Sequence, residues 1–201
     1  ISIIDCGSDD SRLYLAMPFV SGSTLEQRLT SSPLSIGETI AVADSLLRAL
    51  EAAHDHGVLH RDIKPANVIV NDGAVTRATL IDFGLARSSH LASSIRDQPV
   101  GTALYMSPEI VRRKATDRRV DIFSFGVSAY EMYAGSLPWT ASVVTGKAAM
   151  EHDKPATPIE SHCPNLDRHL VDLIHRCIAA DPDRRPQSMG EVEAELARLQ
   201  A

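Results

Sequence analysis

Apolar residues in the first twenty positions fall into two short runs, "ISIID" and "LYLAMPFV", separated by the turn-rich "CGSDDS". That pattern predicts a β-hairpin. "SGSTLEQRL" then opens a short helix with Ser23 or Thr24 as its cap. From Ser35 to His56 the residues Ile36, Ile40, Ala43, Leu47, Leu50 and His54 recur at three- and four-residue steps. They mark one face of a helix that Gly57 terminates. "NVIVN" and "ATLIDF" read as short strands joined by an "NDG" turn. Past residue 110 the texture becomes helical, with proline-punctuated loops. "VDIFSFGVSAYEMYAG" is apolar on almost every side, which predicts a helix buried at the centre of the molecule. "LDRHLVDLIHRCIAA" and "SMGEVEAELARLQ" supply two further amphipathic helices, and no repeat or low-complexity tract interrupts the series.

Composition narrows the function classes. The 201 residues are 44% hydrophobic and 23% charged, as expected for a folded globular domain. A formal charge of -6 offers no global cationic surface for a nucleic-acid backbone, so no nucleic-acid partner is expected. No apolar run reaches the length of a membrane span, and no contact with a bilayer is expected from this segment. Three cysteines, Cys6, Cys163 and Cys177, form neither an even set nor a CxxC pair, which favours a reducing, cytoplasmic setting. His162, Cys163, His175 and Cys177 are read as scattered structural residues rather than a metal site.

"HRDIKPANVIV", residues 60 to 70, places costly polar groups at the mouth of a β-branched run. "IDFG" follows, with Asp82 at the end of the second strand. Asn67 and Asp82 are hard oxygen donors suited to Mg²⁺ that also holds phosphate oxygens. Asp62, left off the metal, can accept a hydroxyl proton and orient the attacking oxygen. These residue types together suit phosphoryl transfer.

The ordered motifs "HRDIKPAN", "DFG", "GTALYMSPE", "DIFSFG" and "DPDRRP" resemble the C-terminal lobe of eukaryotic-type (Hanks-type) serine/threonine protein kinases, in their bacterial form. The resemblance implies an α+β protein-kinase fold: a mainly helical lobe with short β-hairpins, residues 1–20 a remnant of the N-lobe sheet and hinge, residues 21–201 the C-lobe. It implies ATP and Mg²⁺ as cofactors and serine- or threonine-bearing proteins as substrates. Asp62 would be the catalytic base and Asn67 and Asp82 the magnesium ligands. Lys64 would stabilise the transferred phosphoryl group, and Thr102 would pack against both Asp62 and Lys64; lysine at 64 favours serine/threonine over tyrosine specificity. His60 would stack on Phe83, ahead of Gly84, with Ile3 in the same spine. Arg61 would pair with a phosphorylated residue of the segment 84–107, where Ser93 and Ser94 are the candidate autophosphorylation sites. Glu109 and Arg185 would form a buried ion pair, and Asp121 would accept N–H bonds from the "HRD" turn.

By the same resemblance Met17 is the gatekeeper. The Pro18 carbonyl and the Val20 N–H would read adenine, while Leu25 and Ile69 close on its face or else belong to the core. The glycine-rich loop, the strand lysine and the helix glutamate of the family have no counterpart in these 201 residues. They are expected to precede Ile1, and the segment alone is expected to show little or no turnover. Two other readings are a non-catalytic interaction module on the same scaffold, and a small-molecule phosphotransferase. "GTALYMSPE", a peptide-platform feature, disfavours the latter.

Overall fold

A computed structural model describes residues 4–9, 12–71, 75–83, 103–139, 142–144, 147–149, 152 and 154–199. A hairpin of β1 (Asp5–Asp9) and β2 (Arg12–Ala16) leads the chain, with Asp5 opposite Ala16. The expected hairpin is present, but its first strand sits on residues read as a turn. Backbone pairing accounts for the shift: Cys6 to Asp9 all find partners on β2, and ladder bonds do not require apolar side chains. β2 stops at Ala16 rather than running to Val20, because Pro18 has no N–H to give and restricts the residue before it.

β3 (Ser23–Thr24), β4 (Val68–Val70) and β5 (Ala78–Leu80) form a small antiparallel sheet in that order. Gly22 adopts φ +133°, and a side chain there would strike the Val70 carbonyl oxygen at 2.2 Å. Only glycine lets the chain pass so close to β4. Residues 71–77 separate β4 from β5, a longer connection than the "NDG" turn implied.

α1 (Leu25–Ser31) and α2 (Ile36–Asp55) each begin with a capping box, Thr24 with Gln27 and Ser35 with Glu38. α2 buries Thr39, Val42, Ala43, Leu46, Leu47, Leu50 and His54. Ile36, expected on that face, is 64% exposed: it occupies the first helical position, before the helix meets its neighbours. Gly57 ends the segment at φ 72°.

After α3 (Pro108–Val111), α4 (Arg119–Ala134) runs through the interior with every residue from Val120 to Tyr130 buried. It stops at Gly135, in the left-handed conformation. β6 (Ser142–Val144) pairs with β7 (Lys147–Ala149). α5 (Arg168–Cys177) packs on α4, and α6 (Met189–Arg198) packs on α2. α4 and α5 approach closely at Gly126, where a methyl group would stand 2.6 Å from Cys177 Cβ. The result is the expected α+β arrangement, helical with a few short antiparallel strands. Among the described residues no helix is long and apolar enough to cross a membrane.

Candidate active site

The turn between α2 and β4 is held from behind by Asp121, in the first turn of α4. Its side chain is fully buried, and a buried carboxylate is tolerable only when its oxygens are well bonded. Oδ2 accepts the His60 N–H at 2.8 Å and faces His54 Nε2 at 2.8 Å, while Oδ1 accepts the Arg61 N–H at 2.7 Å. Arg61 adopts φ 64°, a left-handed conformation costly for a side-chain-bearing residue. Its bonded amide helps to maintain that conformation.

One residue further on, Asp62 is half-buried and ringed by its own loop. Lys64 Nζ donates to both carboxylate oxygens, at 3.2 and 3.0 Å. Asn67 Nδ2 donates to the Asp62 carbonyl at 2.8 Å and to its Oδ2 at 2.9 Å. The short 3₁₀ turn Pro65–Asn67 creates this arrangement by returning Asn67 over Asp62 just before β4 begins. With its nitrogen engaged by Asp62, the Asn67 amide leaves its oxygen as the group available to a cation.

His60 is fully buried and tilted against Phe83, with ring centroids 4.6 Å apart. Nε2–H donates to the Ile81 carbonyl at 3.0 Å, and Nδ1 accepts the Asp62 N–H at 3.3 Å. Those two bonds define one tautomer of the imidazole. Burial pushes its pKa down, against the opposing effects of the Ile81 carbonyl, Asp121, Asp62 and Asp82. The Ile81 N–H donates to the Asn67 carbonyl at 2.9 Å, so Asp82 begins one residue beyond the link between the two strand ends. Asp82 is exposed and, at φ 57°, is a second side-chain-bearing residue in the left-handed region. Asn67 and Asp82 thus offer two hard oxygen donors on adjoining segments, a donor chemistry that fits Mg²⁺.

The segment leading into α3 is fastened to α4 and to the residues after α5. Tyr105 Oη donates to Glu131 at 2.5 Å, and Ser124 Oγ donates to the Tyr105 carbonyl at 2.7 Å. Burial raises the Glu131 pKa, its bond to Tyr105 opposes that rise, and Glu26 adds to it. Arg185 makes paired bonds to Glu109 at 2.7 and 2.9 Å. Three more N–H bonds reach the Ala179, Arg119 and Ala180 carbonyls, and the guanidinium lies 4.9 Å from the Phe123 ring centre.

The stretch from Met17 to Val20 is irregular. Met17 is 37% and Phe19 93% exposed, Pro18 is exposed, and Val20 is half-buried. Ile69 is half-buried, on the side of β4 opposite the buried Val68 and Val70. Of the two readings of Leu25, a wall of the adenine cleft or plain core, the structure gives the core: it is fully enclosed, being the first residue of α1, which packs on β4. Gly84, Ser93, Ser94 and Thr102 lie outside the described residues, as does Ile3. Sequence reasoning missed the contact of His54 with Asp121. Its signal was a histidine on an otherwise apolar helical face, where burial demands a polar partner.

The family model described as the protein kinase domain matches residues 1–195. The chain is 33% identical over 201 residues to a protein of Clostridium acetobutylicum named as a probable serine/threonine-protein kinase, covering 99% of this chain and 30% of that protein. It is 34% identical over 204 residues to the serine/threonine-protein kinase pkn2 of Myxococcus xanthus, covering 98% and 25%. With the serine/threonine-protein kinase PknJ of Mycobacterium tuberculosis it shares 30% over 197 residues, covering 95% and 33%. The chain therefore spans between a quarter and a third of the length of these relatives.

Proposed function

The chain belongs to the protein kinase family, and we propose that the protein carrying it transfers the γ-phosphate of ATP to serine and threonine hydroxyls of other proteins. The observation that carries this reading is the state of Asp62. Its carboxylate is held by Lys64 and Asn67 yet remains partly open to solvent, while the neighbouring histidine is buried and engaged at both ring nitrogens. Asp62 is the group able to accept a hydroxyl proton and aim the attacking oxygen. A positioned base of this kind contributes about 10²–10⁴-fold.

Lys64, 3.0 Å from Asp62, brings a cation to the place where charge redistributes on the transferred group. Asn67 and Asp82 would hold Mg²⁺, which when bound neutralises phosphate charge. Asn67 also orients Asp62, so a single amide links the base to the metal side of the site. The relatives' designations as serine/threonine kinases, together with Lys64, favour hydroxyls of serine and threonine over tyrosine.

The test uses the complete gene product, γ-labelled ATP and a generic protein substrate. Labelled phosphoserine and phosphothreonine are expected, and Asp62→Asn should abolish the label without changing the melting temperature. Label that persists in Asp62→Asn would overturn the role given to Asp62, and partner binding with no transfer by the unsubstituted protein would favour a non-catalytic scaffold.

A further inference from the structure

We propose that the cationic loop between α3 and α4, through Arg113, Lys114 and Arg118, docks an acidic segment of the protein substrate; the inference deepens the kinase reading above and rests on it. Five of the eight residues 112–119 are arginine or lysine and one, Asp117, is acidic, in a chain whose formal charge is -6. Arg112, Arg113, Lys114 and Arg118 are all exposed. Arg119 engages two carboxylates beside the loop, Asp117 at 2.8 Å and Asp183 at 2.6 Å. The side-chain cations of Arg113, Lys114 and Arg118 make no hydrogen bond or ion pair among the described residues. The loop therefore presents a local positive field on a chain that is negative as a whole.

Backbone geometry points the same way. α3 ends in a Schellman motif: the Arg113 N–H donates to the Ile110 carbonyl at 3.1 Å, and the Lys114 N–H to the Glu109 carbonyl at 2.9 Å. The motif puts Arg113 in the left-handed region, at φ 55°. Glycine takes that position without steric cost, whereas arginine must hold its Cβ against the backbone. Arg61 and Asp82 are the other side-chain-bearing residues at positive φ among the described residues, and both stand in the candidate active site. A helix of four residues has little dipole for a terminal cation to offset, so α3 itself gains little from arginine here. The use of this side chain lies outside the loop.

The loop is also close to the reacting group. Arg118 precedes Asp121 by about one turn of α4, and Asp121 Oδ1 accepts the Arg61 N–H at 2.7 Å, next to Asp62. The backbone path from Arg118 to Asp62 is thus no longer than about 20 Å, the span of about six extended residues. A substrate chain with its hydroxyl at Asp62 reaches the loop with residues within about six positions of that hydroxyl. A membrane surface or a separate acidic partner would need no such placement.

The test gives the complete gene product two peptides of one sequence, each with a central serine, carrying either glutamate or glutamine at about the fourth to sixth positions on both sides. The variants are Arg113→Gly and the triple substitution Arg113→Gly, Lys114→Gln and Arg118→Gln. Arg113→Gly should melt no lower than the unsubstituted protein, since glycine suits the left-handed position. Transfer to a generic protein substrate and its loss in Asp62→Asn are measured first. Failure there is failure of the kinase reading, and binding of the two peptides, read by fluorescence anisotropy, then decides the docking surface by the same ratios. Given that control, KM for the glutamate peptide should lie about tenfold or more below that for the glutamine peptide. The triple variant should bring the two within about threefold, with kcat and KM for ATP unchanged. The inference is overturned if the unsubstituted protein shows no preference, if the preference survives in the folded triple variant, or if the generic substrate is labelled and neither peptide is. Tighter binding of the glutamate peptide with no fall in KM also overturns it, and would assign the surface to a separate acidic partner. Should the triple variant fail to fold, Arg113→Gly decides alone and should reduce the preference by about threefold or more.

Discussion

Glu109 and Arg185 meet across 76 positions of sequence through two parallel hydrogen bonds, with side-chain exposures of 8% and 0%. The pair ties the start of α3 to the stretch that precedes α6. Removing one charge leaves the other buried without its partner, so Glu109→Gln should destabilise the fold by about 3–5 kcal/mol. The double substitution to methionine should cost less than the sum of the single changes. Urea unfolding of the unsubstituted protein, Glu109→Gln, Glu109→Met, Arg185→Met and the double methionine variant measures both quantities, and additive losses would show that the two side chains act independently.

Asn67 bonds Asp62 through its Nδ2, and in the proposed site its oxygen would be offered to a cation. Asn67→Ala should lower transfer and raise the Mg²⁺ concentration needed for half-maximal activity by about tenfold or more. Chelation of Mg²⁺ should abolish transfer by the unsubstituted protein as well. A Mg²⁺ titration midpoint unchanged by the substitution would remove Asn67 from the metal site.

Burial lowers the His60 pKa from its ordinary 6.5, so the folded ring resists a proton that the unfolded chain accepts. Below about 6.5 the unfolded state binds more protons than the folded state, and its free energy falls relative to the folded one. This contribution to stability is therefore complete above that pH and is lost progressively as pH drops toward the lowered folded value. His60→Phe, which can keep an aromatic contact with Phe83, should flatten that part of the stability profile. Urea midpoints measured across the acidic range check the slope, and a profile of unchanged steepness would assign it to other groups.

Gly126 lets α4 and α5 touch. A Cβ there would lie 2.6 Å from Cys177 Cβ and 2.8 Å from Ile178 Cγ2. Gly126→Ala should cost about 1–3 kcal/mol through forced separation of the two helices, despite alanine's better helix propensity. A denaturation midpoint equal to or above that of the unsubstituted protein would mean that the interface accommodates the methyl group.

Elements set by local chemistry were readable from the chain. Thr24 and Ser35 announce the starts of α1 and α2, Gly57 terminates the second, and the apolar run through Val120 to Tyr130 identifies a buried helix. The neighbouring polar groups Asp62, Lys64 and Asn67 were readable for the same reason: within six residues of loop there are few ways to place them apart. β1 was misplaced because apolarity was used as a proxy for strand, whereas its pairing is a backbone matter. Ile36 was misjudged because helical periodicity assigns a face but not what that face meets.

By itself, the sequence determined where helices begin and end and which residue types of the proposed site stand at which spacing, since capping, periodicity and turn formation act over a few residues. Tertiary structure alone decided that Asp121 would satisfy two amides of the turn and face His54, and that Leu25 would lie in the core rather than on a cleft wall. The physical reason is that burial and hydrogen-bond satisfaction depend on which distant segments pack together, and no local pattern specifies that partner.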